Sequence, residues 1–391
     1  MCISRKIKRW VVFMNKGEIV EQLRGPLIVK ETRVRRLYKG GALLDKFRGK
    51  KNLRDGFCPE DWIGSTTQAI NRDLIIGEGI SKVILKNTKF DSTVEISLQE
   101  ILNIPEYAYA LFGEGVKEGK TPGILVKLLD SLTRLPLQTH PDKKFVEKYF
   151  NDAHGKCESW IILGGRKIKG EDPHVYFGFT ENVTKEQFYK GYYNQDSKLM
   201  LSLLNKIYVR PGDVFYIEPN IIHAIGPGVF LLEIQEPSDY VFQFERKGEC
   251  WELNDYEVHM GLGEKIMLNS INFNLKGNSL LCKNFFHRDI YYNLEDIMPL
   301  FSQEQGEYFG CELISSSKII QRKHESIHIG IVIKGNLTLI LNDHPIYLRK
   351  GDTYILPAPS YNRCFSSICE YKNESKNGEG EFFVVLEAFP V

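Results

Sequence analysis

Two stretches of this 391-residue chain open with the same turn and continue in the same alternation: Gly212-Asp213-Val214-Phe215-Tyr216-Ile217 and Gly351-Asp352-Thr353-Tyr354-Ile355-Leu356-Pro357. A repeated strand behind a turn glycine constrains the fold more than composition does, because each copy must bury an apolar face against further strands. Around the copies the chain is cut into short segments by Pro211-Gly212, Gly226-Pro227-Gly228 and Gly248. Many short strands between turn signals predict a mainly β chain built as two related jelly-roll barrels in tandem, with helical segments between and beside them. The expected boundaries are a short N-terminal extension over 1–14, a first barrel over 15–265, and a connection with a second barrel over 266–391. A helical insertion is expected near 184–205.

Two capping boxes mark helices. Ser97 with Glu100 precedes an apolar run, and Thr184 with Gln187 opens the expected insertion. With 51 basic against 50 acidic residues the chain carries no global field that would gather nucleic acid. Its eight cysteines form no C-x-x-C pair, which suits reduced, packed thiols and a cytoplasmic setting better than a disulfide framework. The apolar run Trp10 to Met14 is too short for a signal peptide, and no stretch of roughly 20 apolar residues follows, so no membrane partner is expected.

The chemistry concentrates in three strand-like segments. In Gln138-Thr139-His140 the outer two residues share a face, so an amide oxygen and an imidazole can meet at one point. Lys156-Cys157-Glu158 adds a carboxylate, and His223, eleven residues after Gly212, adds a second imidazole. Gln138, His140, Glu158 and His223 make a mixed nitrogen and oxygen shell for one divalent ion per chain. Alternation turns Cys157 away from the Glu158 face, so it reads as a packed thiol rather than a nucleophile. In the second copy the residue eleven places after Gly351 is Asn362, and the second barrel is expected to be metal-free, with His324 and His328 structural. Phe188, Tyr189, Tyr192 and Tyr193 follow helical spacing and are expected to pack.

Five ordered blocks together resemble a known family. They are Leu125 to Ser131, Leu137 to Asp142, Lys156 to Trp160, Gly212 to Ile217 with His223-Ala224-Ile225-Gly226, and Leu232 to Asp239. The chain from about Arg36 onward is similar to the type I phosphomannose isomerases, zinc-dependent double-cupin enzymes. The resemblance implies zinc on Gln138, His140, Glu158 and His223, with other divalent metals able to bind the same nitrogen and oxygen shell. It implies substrate binding by Lys127 and Lys156 and a catalytic set of Asp239, Lys156 and position 243; Glu233 is expected to join the substrate-binding residues, and it and Asp239 are the carboxylates to test as proton movers. Many family members carry an arginine at that last position, whereas this chain has Gln243, and Arg246 lies three residues on.

Aldose-ketose isomerisation moves a proton between adjacent carbons through an enediolate, so a cation, a base and donors to oxygen must converge. The implied function is interconversion of mannose 6-phosphate and fructose 6-phosphate, with a small sugar phosphate as partner. The alternatives are an isomerase of a different sugar and a non-catalytic sugar-phosphate-binding or regulatory cupin that kept its metal shell. An iron cupin oxygenase is a further competitor, disfavoured because the matching blocks are those of isomerases. Asn220, in the turn before His223, is expected to adopt the left-handed conformation that asparagine tolerates.

Overall fold

The structure is a computed structural model that describes residues 14–113, 123–291, 296–301, 308–359, 368–374 and 382–391. All but the last residue of the expected 1–14 extension, and Asn362, lie outside these. Four antiparallel sheets stack as layers, and strand alternation decides which residue serves which interface. The seven-stranded sheet holds Glu158–Gly165, Asp213–Ile217, Val229–Gln235 and Leu125–Asp130, and the five-stranded sheet holds Gln138–Thr139, His174–Phe179 and His223–Ile225. Trp160, Ile162, Phe215 and Leu231 of the first meet Val175, Phe177 and Ile225 of the second, and together they form the core of one barrel.

The intervening residues Ile161, Val214 and Leu232 point the other way. They join Ile329, Ile331, Ile355, Val384 and Leu386 of the eight-stranded sheet, so the two barrels share an apolar core. That sheet's opposite face, with Val332, Tyr354 and Val385, closes on Leu337, Leu339 and Tyr371 of a four-stranded sheet. Because the two central sheets are covered on both faces, their strands are continuously apolar rather than alternating. Each such side chain contributes roughly 1.5–3 kcal/mol on full burial.

The N-terminal strand Leu27–Val29 pairs with both Thr353–Leu356 and Lys82–Asn87, inside the sheet of the C-terminal barrel. A division of the chain at residue 265 therefore separates strands that share one sheet. The Ser97 and Thr184 capping boxes both form. The second heads Lys185–Tyr193, followed by Ser197–Ser202, and the chain is already back in a strand at Leu204. Phe188 and Tyr192 are buried with Phe179, Phe242 and Phe244, which seats these helices on the outer face of the five-stranded sheet. Met14 is buried in the core behind the N-cap residue Asn15.

Inside the second barrel the carboxylate of Glu387 is wholly buried and receives hydrogen bonds from His328 Nδ1 at 3.0 Å, Tyr371 at 2.7 Å and Tyr354. Gly330 makes room for this network, since a Cβ there would meet the Tyr354 ring at 2.0 Å. His324 lies 2.8 Å from the Pro357 carbonyl and 3.3 Å from Cys369 Sγ. Burial alone would raise the Glu387 carboxyl, but His328, Arg322 and Tyr354 outweigh it and hold it at about 2. A depressed carboxylate adds stability that is present above its unfolded value near 4.5 and is lost as pH falls towards 2. Glu387→Gln is therefore expected to flatten the acid loss of stability between those limits by on the order of 3 kcal/mol. Urea midpoints measured across that range check this, and an unchanged slope contradicts it.

Candidate metal centre

Three candidate ligands converge because strands of two facing sheets end at the same edge of the first barrel. His223 opens His223–Ile225 and pairs directly with Gln138, while Glu158 opens its strand in the opposite sheet, across from Ile217 and Gln235. Of the strand-like segment Gln138-Thr139-His140, only Gln138–Thr139 is strand. His140 follows immediately, and its carbonyl accepts from the Asn220 N–H at 2.9 Å. Asn220 has φ +67°, the left-handed turn that sends the chain into His223.

His140 Nε2 lies 3.2 Å from Glu158 Oε2, and His223 Nε2 lies 3.3 Å from Glu158 Oε1. The Gln138 amide stands 3.2 Å from His223 Nε2. The other ring nitrogens are occupied, His140 Nδ1 donating to the Tyr240 carbonyl at 2.9 Å and His223 Nδ1 to the Ile221 carbonyl at 3.0 Å. This assigns both lone pairs to Nε2, aimed at the common point. Burial pushes both imidazoles down, His223 to about 3, so they stay neutral and ligand-competent. Glu158 is held well below the usual carboxylate range because Lys156, His140 and His223 outweigh its burial.

A cation fits this arrangement. Both Glu158 oxygens are buried without an aligned hydrogen-bond donor, although the Lys156 ammonium stands 2.8 Å from one of them. His140, Glu158 and His223 all offer a ligand atom within 4.8 Å of one another, a grouping that could hold a metal ion.

The centre opens into a cavity of about 590 Å³. Gln138, His140, Lys127, Lys156, Glu233, Asp239 and Gln243 line it, and Glu158 and His223 lie behind that lining. Lys127 donates to Glu233 at 2.9 Å. Burial would lower Lys127, but Glu233, Glu60 and Asp239 overcome it and raise it, whereas burial raises Glu233 despite its lysine partner. Gln243 pairs with Gln138 in the sheet, and its side-chain oxygen is buried without a partner among the described residues. Cys157 is a packed thiol whose pKa burial drives well above its ordinary value.

Two placements differ from the sequence reading. Arg246 is not part of the lining and instead binds Glu264 at 2.9 Å, along with Asp255. Asp239 does not stand free, since Arg36 grips both of its oxygens at 3.0 and 3.1 Å and the Ile70 N–H donates at 2.9 Å. Sequence reasoning missed Arg36 and its second partner Glu60, which sit in stretches without regular periodicity. The only signal was a pair of i,i+2 sets, Arg36 with Tyr38 and Glu60 with Trp62. All four converge, because Tyr38 and Trp62 also donate to Glu60, at 2.6 and 2.7 Å.

Fold and centre together define a double-barrelled cupin with a metal-competent mouth, and known proteins narrow the class further. No protein-family model matches the chain. Mannose-6-phosphate isomerase ManA of Bacillus subtilis is 26% identical over 340 residues, covering 85% of this chain and 93% of ManA. The probable mannose-6-phosphate isomerase GmuF of the same organism is 26% identical over 66% of this chain and 76% of GmuF. Among solved structures, the mannose 6-phosphate isomerase of Bacillus subtilis superposes with a TM-score of 0.63 at 21% identity, over 93% of this chain and 99% of that one. A putative mannosephosphate isomerase from Archaeoglobus fulgidus gives 0.63 at 18% identity, over 94% and 97%. The chain is thus similar along most of its length to mannose-6-phosphate isomerases, in sequence and in fold.

Proposed function

We propose that the chain is a zinc-dependent aldose-ketose isomerase that interconverts mannose 6-phosphate and fructose 6-phosphate in the cytoplasm. The observation that carries this reading is the junction of the His140, Glu158 and His223 centre with a cavity whose lining includes two lysines and two further carboxylates. Among the described residues no helix is long and apolar enough to cross a membrane.

A divalent ion, held by Gln138, His140, Glu158 and His223, supplies Lewis acidity towards the sugar's oxygens. Lys156 and Lys127 direct positive charge at the anionic substrate and at the enediolate oxygen as charge develops. Glu233 suits proton transfer between the two carbons better than Asp239. Its pKa is raised, which makes a stronger base, while Asp239 spends its acceptor capacity on Arg36 and Ile70. Gln243 offers a neutral carbonyl to a sugar hydroxyl where a guanidinium would offer charge.

The test is to incubate zinc-loaded protein with mannose 6-phosphate and follow fructose 6-phosphate. Turnover supports the reading, and no turnover with zinc retained sinks it in favour of a binding module, which the neutral Gln243 favours. Gln243→Arg is expected to raise kcat by about tenfold, since a charged donor is worth roughly 1–2 kcal/mol more than a neutral one. Equal or lower kcat in steady-state assays argues that the amide is not a weakness of this site.

A further inference from the structure

We infer that Arg36 is a positioning residue that ties Asp239 and the connection between strands Glu60–Ile63 and Lys82–Asn87 into one rigid cavity wall. The inference rests on the isomerase reading for its kinetic consequence and on geometry for its mechanical one. The Arg36 side chain is only 11% exposed, and its guanidinium carbon lies 5.0 Å from the Trp62 ring centroid. Nε donates to Glu60 at 3.0 Å, and the two terminal nitrogens fork onto Asp239 at 3.0 and 3.1 Å. The connection closes the triangle: the Ile70 N–H donates to Asp239, and the Ile70 carbonyl and Asn71 side chain lie 3.4 Å from Arg36.

Every donor group of Arg36 is thus spent on the protein, which argues against direct contact with substrate. What the residue controls is where the wall from Ile70 to Asp73 stands, because that segment lines the cavity beside Asp239. The far end of this wall has its own anchors: Arg72 binds Glu257 at 3.0 Å and the Glu252 carbonyl at 2.8 Å, Asn71 donates to Glu78 at 3.1 Å, and Arg35 donates to the Asp73 carbonyl at 2.8 Å. At its near end Ile70 is 46% exposed, so apolar packing does not fix that residue, and Asp239 with Arg36 supplies the constraint there. A lysine keeps the charge but cannot fork onto a carboxylate and reach Glu60 at once.

The experiment uses Arg36→Ala, Arg36→Lys, Asp239→Asn and the double variant Arg36→Ala with Asp239→Asn. Zinc content and melting temperature are read beside kinetics, and amide exchange is followed at Ile70. Each Arg36 variant is expected to lower kcat by about 100-fold with KM for mannose 6-phosphate within about threefold, as misplacement of a positioned group does. The double variant is expected to be no worse than the poorer single one, because both changes break one unit. Millimolar guanidinium is expected to restore part of the kcat of Arg36→Ala but none in the double variant. Exchange at Ile70 is expected to rise at least about tenfold in the Arg36 variants and in Asp239→Asn.

Additive losses in the double variant, a change in KM alone, or kcat retained by Arg36→Lys overturns the inference. If Arg36→Ala fails to fold, Arg36→Lys and Asp239→Asn decide it. If wild-type protein shows no turnover, the isomerase reading falls by itself, and unchanged exchange at Ile70 is then the result that overturns the inference.

Discussion

Glu158→Gln is expected to strip the chain of its metal ion and, with it, of turnover. Glu158 is the one formal anion among the four proposed ligands, and its oxygens stand 3.2 and 3.3 Å from the two imidazole nitrogens. Glutamine keeps the shape and removes the charge. A dication in a buried shell of neutral groups then lacks a counter-charge, a loss of roughly 3–5 kcal/mol, or about 100- to 4,000-fold in affinity. Zinc content after dialysis should fall from about one per chain to a small fraction, with kcat falling in proportion. Because both ligand histidines are pushed down by burial, the remaining imidazoles stay neutral near pH 7 and do not themselves repel the ion. Full metal content in the variant would show that Glu158 is not a ligand.

Lys156→Met should behave in the opposite way towards the metal, and the contrast separates ligands from substrate-facing groups. The Lys156 ammonium stands 3.0 Å from His140 Nε2 and 2.8 Å from Glu158 Oε2, so it repels any cation placed between them. Methionine keeps the length of the buried stem and removes the repulsion, and zinc should be held at least as firmly as in the wild type. Turnover should nevertheless fall by about 100-fold, the scale on which loss of one donor at a developing oxyanion acts. Metal analysis beside kinetics reads both arms. Metal loss from Lys156→Met, or kcat within a few fold of wild type, removes this lysine from the proposed machinery.

The candidate ligand cluster was legible because its signal is local. Gln138 and His140 are two residues apart at the end of one short strand, and the Gly212 block measures out the distance to His223. The capping boxes at Ser97 and Thr184 were legible for the same reason, since each pairs residues three apart. Asp239, which lines the cavity, was legible as a candidate, but its partner was not. Arg36 lies 203 residues away in sequence and approaches through a strand of only two residues, Arg33–Val34, too short to leave a period.

The repeated strand predicted two barrels, yet nothing in it announces that Leu27–Val29 crosses over to pair with Thr353–Leu356. Glu387 was missed as the carboxylate of the second barrel because its strand reads as an apolar run with one interruption. Its partners His328, Tyr354 and Tyr371 come from three other strands. By itself, then, the sequence determined what is carried within one strand or one turn: barrel-forming alternation, the left-handed turn at Asn220, and the candidates His140, Glu158 and His223 that the structure brings together. Only the tertiary structure decided which charges neutralise one another inside the cavity, giving Lys127 to Glu233 and Arg36 to Asp239 and Glu60. The physical reason is that a buried charge selects its partner by distance in a medium of low dielectric, and that distance is set by sheet register rather than by position along the chain.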